Sequence, residues 1–287
     1  MNTNTVVRLV ECPRDAMQGW KTNIPTNTKI AYINSLLRVG FDTIDFGSYV
    51  SPKAIPQMAD TPEVLSALDL QDSRSQLLAI VANVRGAESA VAQPSIRYLG
   101  FPFSVSETFQ QRNTNGSIAE ALDRVREIQG LCTKNGKELV VYLSMGFGNP
   151  YGDPWSEHVV LEWASTLVAL GVPILSVADT VGVATAEGIS RITSYLVKAL
   201  PKTEIGVHLH ATADGWREKV DAAYSAGCRR FDGALKGIGG CPMAKDELVG
   251  NMNTEWLIAY FTERGHDLGI DESALQESLR LANEIFV

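Results

Sequence analysis

The sequence predicts an α/β fold, a (β/α)8 barrel forming one domain over residues 1–287, with additional helices at its C-terminal end from about 253 to 287. Three observations carry this prediction. Short apolar runs alternate with amphipathic stretches eight times along the chain. Each run is nearly continuous in apolar residues, as strands of a parallel sheet are when helices cover the sheet. The length, 287 residues, is common for such a barrel in one piece. An open doubly wound sheet is the alternative, but no Gly-x-Gly-x-x-Gly follows the first apolar run.

The elements follow in order. Residues 6–11 form the first strand, and Pro13, which has no N–H for a ladder, ends it before a long loop to Pro25. Residues 26–39 carry Ile30, Ile33, Leu36 and Leu37 at helical spacing and stop at Gly40. Strand two is 41–46. Thr61 caps a short helix with Pro62 in its first turn. Strand three is 76–82, a short helix 86–91, and strand four 95–100 leads into a long polar loop. Ser117, with Glu120 three residues on, opens a helix to about Lys134 that Asn135-Gly136 ends. Strand five, 138–144, runs into a Gly- and Pro-rich loop at 145–154. Helix 155–170, strand 173–178, helix 185–200, strand 204–210, helix 214–226 and strand 230–235 complete the barrel. Helices at 254–262 and 272–285 close the chain.

Composition narrows the function. A net charge of -8 and a pI near 5.1 argue against a nucleic-acid surface. The four cysteines, Cys12, Cys132, Cys228 and Cys241, lie far apart without Cys-x-x-Cys, which favours a reducing compartment, the cytoplasm, over a disulfide framework. Met1 to Thr5 carry no basic region or long apolar run, so no signal peptide is expected. No run approaches about 18 apolar residues, so no membrane contact is expected.

The chemistry-bearing stretch is Glu204-Ile205-Gly206-Val207-His208-Leu209-His210. Side chains two apart on a strand share a face, so His208 and His210 project together. Such a pair either stabilises a strand end or holds a divalent metal. A barrel of this kind builds its site at the C-terminal strand ends, and there the unusual polar residues collect: Arg14, Asp15, Asp45, Ser48, Asn83, Ser144, Asp179, Thr180, the two histidines and Cys241. Each alone has a structural reading. Asp15 would cap a loop, Asp179 would hold the next helix, and Cys241 would be a buried filler. Together, Asp15, His208, His210 and Asn251 offer two nitrogens and two oxygens, a mix that suits Mg, Mn, Co or Zn. Such an ion acts as a Lewis acid, and Arg14 adds positive charge for an oxyanion or enolate. Cys241, in Gly239-Gly240-Cys241-Pro242, sits in a lid-like loop where it could give or take a proton.

The chain resembles the 3-hydroxy-3-methylglutaryl-CoA lyases of the metal-dependent barrel superfamily that includes isopropylmalate and homocitrate synthases. The resemblance rests on Pro13-Arg14-Asp15 with Gln18, Ser48-Tyr49-Val50-Ser51-Pro52-Lys53, Pro56-Gln57-Met58, Asp179-Thr180-Val181-Gly182, His208-Leu209-His210, Gly239-Gly240-Cys241-Pro242 and Gly250-Asn251. It implies a retro-Claisen cleavage to acetyl-CoA and acetoacetate. It also implies an acyl-CoA partner, a divalent metal (Mg or Mn first, Co or Zn as alternatives) and a homodimer or other homo-oligomer. By position, Asp15, His208, His210 and Asn251 would be the ligands. Arg14 would stabilise the enolate, Cys241 would protonate the carbanion, and His208 or Asp179 would be the base, with Asp45 beside them. Arg14, Gln18, Ser48, Asn83 and Ser144 would contact substrate. The chain departs from the family where Asp45 replaces Glu, Cys12 replaces Gly, Gly19-Trp20 replaces Asn-Glu and Ala211 replaces Asp. The Phe147-Gly148-Asn149 loop also departs, and the 241–251 segment is slightly longer. A lyase for a related 3-hydroxyacyl-CoA fits the same residues.

Three other readings compete. A 2-oxo-acid Claisen condensing enzyme of the same superfamily usually carries further C-terminal regions. A Schiff-base aldolase would rely on Lys236, the one strand-end lysine. A metal- or acyl-CoA-binding barrel without turnover would have no need for the full set of Arg14, Asp15, His208, His210 and Cys241.

Overall fold

A computed structural model describes residues 6–240 and 249–287. Eight parallel strands close a barrel in sequence order, the last pairing with the first. They are β1 (Arg8–Glu11), β2 (Thr43–Ser48), β3 (Gln76–Ile80), β4 (Ile96–Ser104), β5 (Glu138–Ser144), β6 (Ile174–Ala178), β7 (Glu204–His208) and β8 (Arg230–Gly233). The helices are α1 (Pro13–Gln18), α2 (Thr26–Val39), α3 (Thr61–Ser66), α4 (Val84–Val91), α5 (Glu107–Thr114), α6 (Ile118–Lys134), α7 (Glu157–Ala169), α8 (Ala186–Ala199), α9 (Trp216–Ser225), α10 (Thr254–Glu263) and α11 (Glu272–Ile285).

Local chemistry explains the boundaries. The expected capping box is present: Ser117 Oγ accepts from the Glu120 N–H, and Glu120 accepts from the Ser117 N–H. Ser156, Thr185 and Asp271 cap α7, α8 and α11 in the simpler way. Gly40 ends α2 at φ +87°, a left-handed turn that a side chain would resist.

The structure corrects the sequence reading in several places. The loop expected after β1 contains α1, begun by Pro13, whose missing N–H costs nothing in a first turn. Thr61 is the first residue of α3 rather than its cap, and its hydroxyl donates to Met58 O and accepts from the Ser48 N–H. The polar loop after strand four contains α5, whose ends are held by Ser106 and by left-handed Asn115. β4 runs past Gly100 through Pro102. On that side β3 has ended at Ile80, so the proline leaves no ladder bond unmade. β7 stops at His208 and β8 at Gly233, both short of their expected ends.

Two cores result. One packs the outer strand faces against the helices. The other fills the lumen with Leu78, Ile80, Val140, Tyr142 and Ile174, against which Tyr98 and Val50 pack.

Candidate active site

β1 delivers its chain directly into α1, and α1 presents Arg14 and Asp15 at the C-terminal mouth, each about 8 % exposed. Arg14 forks between two carboxylates. Its Nε donates to Asp45 Oδ1 (3.2 Å) and Oδ2 (3.0 Å), its Nη2 also donates to Asp45, and its Nη1 donates to Asp15 Oδ1 at 2.9 Å. Burial opposes the guanidinium charge, but Asp45 and then Asp15 outweigh it and hold Arg14 firmly protonated. Burial pushes Asp45 up to about 6 against the pull of Arg14, so it is chiefly a carboxylate at neutral pH. For Asp15 burial also acts upward, but Arg14, His208 and Asn251 together hold it below the ordinary carboxylate range.

The two histidines do meet, with ring centroids 5.4 Å apart. Although β7 ends at His208, the chain stays extended beyond it. Met252 N–H donates to Leu209 O and Ala211 N–H to Gly250 O, so residues 250–252 lie antiparallel to 209–211 and Asn251 sits opposite His210. Asn251 Nδ2 donates to Asp15 Oδ2 at 2.8 Å and to Ile238 O at 2.9 Å. Gly239 permits this seat, since a Cβ there would lie 2.4 Å from Asn251 Nδ2. Gln18 Nε2 donates to Asp15 Oδ1 at 3.1 Å.

The donor set fits a divalent cation. Burial first, and then His208, push His210 down to about 3, so its imidazole is neutral with a free lone pair. Asn251 Oδ1 is a buried acceptor with no well-formed hydrogen bond among the described residues. Asp15 supplies the negative charge. Asp232, on β8, faces His208 Nδ1 at 3.2 Å, and with Asp15 it outweighs burial and raises the His208 imidazole. A second compact trio, Cys12, His208 and Asp232, has potential ligand atoms within 4.8 Å of one another. Burial keeps the Cys12 thiol protonated, and neither Cys12 nor Asp232 borders the cavity. Asp15, His208 and His210, which border the cavity, with Asn251 hydrogen-bonded to Asp15, therefore make the better cation site.

That cavity measures about 260 Å³. Arg14, Asp15, His208 and His210 line one side, joined by Gln18, Ser144 and Thr180. Ile80, Ala82, Pro102 and Tyr142 make an apolar wall, and α5 contributes Phe109 and Asn113 at the rim.

Not every expected residue reaches it. Asp179 is buried behind, its Oδ2 bound by Lys219 Nζ at 3.0 Å and its Oδ1 by Ala184 N–H at 2.9 Å. Asn83 caps α4, its Oδ1 accepting from the Gly86 N–H. Ser48 Oγ is turned to the Val50 N–H. Asp45 meets Arg14 rather than the cavity. Lys236 is exposed, outside the lining. Cys241 lies outside the described residues. Sequence reasoning missed Asp232, Tyr142 and the α5 side chains. Two charged residues, Arg230 and Asp232, alternating within the four-residue β8 were a readable signal for the first. The polar α5 offered none.

The comparisons identify the family. The HMGL-like family model matches residues 8–282. A rat protein named 3-hydroxy-3-methylglutaryl-CoA lyase, cytoplasmic, is 32% identical over 95% of this chain and 79% of its own length. A Pseudomonas aeruginosa protein named 3-hydroxy-3-isohexenylglutaryl-CoA/hydroxy-methylglutaryl-CoA lyase is 31% identical over 97% of this chain and 92% of its own. The structure of an HMG-CoA lyase from Acinetobacter baumannii, in complex with coenzyme A and 3-methylmalate, superposes with a TM-score of 0.90 at 32% identity, covering 98% of this chain and 91% of that one. With the closed barrel and the convergent Arg14, Asp15, His208, His210 and Asn251, these matches establish that the chain belongs to the HMGL-like family and is a carbon–carbon lyase.

Proposed function

We propose that this chain cleaves 3-hydroxy-3-methylglutaryl-CoA to acetyl-CoA and acetoacetate. The observation that carries the proposal is the convergence of a fixed guanidinium with Asp15, His208 and His210 on a 260 Å³ cavity, with Asn251 hydrogen-bonded to Asp15. In the reaction the C3 hydroxyl loses its proton and C3 becomes the acetoacetate ketone. The C2–C3 bond breaks, and its electron pair passes to C2 as the acetyl-CoA enolate, which is then protonated at C2. A bound divalent cation, Mg or Mn first on this donor set, would supply Lewis acidity toward the substrate oxygens. Asp15, His208, His210 and Asn251 would hold it. Arg14, kept charged by Asp15 and Asp45, would neutralise the enolate oxygen. Of the two bases considered, His208 faces the cavity, whereas Asp179 is committed to Lys219. Asp232 would accept the His208 Nδ1–H and leave the single Nε2 lone pair on the cavity side, for the cation or, in its absence from that nitrogen, for the hydroxyl proton. Ser144 and Gln18 remain the substrate contacts that line the cavity. Cys241, outside the described residues, would return the proton to C2. The cytoplasm is the compartment we propose, supported by the free thiols of Cys12, Cys132 and Cys228. Among the described residues no helix is long and apolar enough to cross a membrane.

A second reading has its own support. The wall of Ile80, Ala82, Pro102 and Tyr142 would accept an apolar C3 substituent larger than methyl, and the Pseudomonas relative's name includes an isohexenyl substrate.

One assay tests both. The protein is incubated with each CoA ester, with and without a chelator, and the products are read for acetyl-CoA. Chelator-sensitive acetoacetate from the methyl ester supports the first reading. Turnover of the isohexenyl ester alone moves the assignment to the second. A metal-loaded protein that cleaves neither refutes both.

A further inference from the structure

Arg230 is the largest fully buried side chain in the molecule among the described residues, and it lies inside the barrel. Its guanidinium carbon is 5.4 Å from the ring centre of Tyr98, on β4, directly across the lumen from β8. The stem passes over Gly206, its neighbour on β7, where a Cβ would sit 3.1 Å from Arg230 Cδ. The neighbouring strand thus leaves room for this arginine.

Its nitrogens Nε, Nη1 and Nη2 are all buried and make no hydrogen bond to any of the described residues. Below, toward the N-terminal ends of the strands, Nη1 faces Glu204 Oε1 at 3.6 Å and Asp42 Oδ1 at 3.9 Å, too far for hydrogen bonds but near for charge. Above, two residues along β8, Asp232 Oδ1 is likewise buried without a partner, while Oδ2 faces His208. Tyr142 Oη and Ser176 Oγ, on the same lumen-facing sides of β5 and β6 as Val140 and Ile174, are also unpaired. Burial opposes the Arg230 charge, but carboxylates outweigh it, Asp232 first and then Glu204 and Asp42, with Tyr142 acting in the same sense. A column of buried donors and acceptors therefore runs from the barrel floor to the histidine, groups of the kind that buried water bridges.

We propose that Arg230 is a positioning residue for the metal-binding end: through bridging water it balances Asp232, and Asp232 fixes the tautomer and orientation of His208. The inference rests on the metal reading of the site. It gives this chain a charge relay of three links, guanidinium, carboxylate and imidazole, in which the outermost link never touches cation or substrate. Outer partners of metal-bound histidines commonly change metal affinity 10- to 100-fold, and for one link further out we expect about tenfold.

The test is Mn(II) binding to the metal-free full chain, followed by the EPR signal of free Mn(II), for wild type, R230M, R230K and E204Q. R230M should bind about tenfold more weakly, and R230K should recover most of the loss. E204Q should bind as tightly as wild type or tighter, because Arg230 is then shared with fewer carboxylates. Wild-type affinity in R230M overturns the inference. So does weaker binding in E204Q, which would make the charged floor a structural plug only. If R230M does not fold, the E204Q comparison decides alone by the same criterion. A wild type that binds no Mn(II) instead brings down the metal reading itself.

Discussion

Glu11→Gln should stabilise the protein at neutral pH and leave it nearly unchanged at pH 4.5. Glu11 ends β1 fully buried and ties the closing seam of the barrel together, accepting from the Leu235 N–H (2.9 Å) and the Thr254 hydroxyl. Burial pushes its carboxyl from 4.5 up to about 8, against the smaller opposing pull of those two hydrogen bonds. The folded state therefore binds the proton more tightly than the unfolded state. The resulting stabilisation is full below pH 4.5 and is lost as pH rises toward about 8. At roughly 1.4 kcal/mol per pH unit, the loss between pH 4.5 and 7 is about 3 kcal/mol. Glutamine keeps the acceptor for Leu235 and can donate to Thr254 without burying charge. Urea denaturation followed by circular dichroism at pH 5, 7 and 8.5 would show the variant's midpoint drawing away from wild type as pH rises. Parallel midpoints across that range would refute the assignment of a buried, proton-binding Glu11.

Other perturbations separate the site from its scaffold. His210→Ala should abolish Mn(II) binding and turnover together while circular dichroism stays native; wild-type metal content would remove His210 from the ligand set. Gly239→Ala places a Cβ 2.4 Å from Asn251 Nδ2 at φ +107°, so it should weaken Mn(II) binding at least tenfold, more than it lowers the melting temperature. Asp45→Asn should slow turnover and remove any fall in rate attributable to protonation of Asp45 near pH 6, which a pH–rate profile would read. Lys236 is exposed at φ +61°, so Lys236→Gly should raise stability by about 1 kcal/mol, seen as a higher melting temperature.

Periodicity determined the barrel. Eight apolar runs separated by amphipathic stretches leave few other packings, and the limits expected for α2 and β5 are those observed. Much of the site was legible for the same reason. Once strand ends are located, Arg14, Asp15, His208 and His210 must share one mouth, and the extension of β7 against 250–252 brings Asn251 to them. α1 and α5 were not legible, because a six-residue helix and a polar eight-residue one carry almost no apolar period. The partners of Asp179, Asn83 and Ser48 were not legible either. Strand-end position says which mouth a residue occupies, but a lysine 40 residues away decides whether Asp179 is free. Only the tertiary structure could reveal the lumen. Whether Arg230, Asp232, Tyr142 and Ser176 form one buried column depends on barrel closure, which brings strands far apart in sequence within hydrogen-bonding and Coulombic reach.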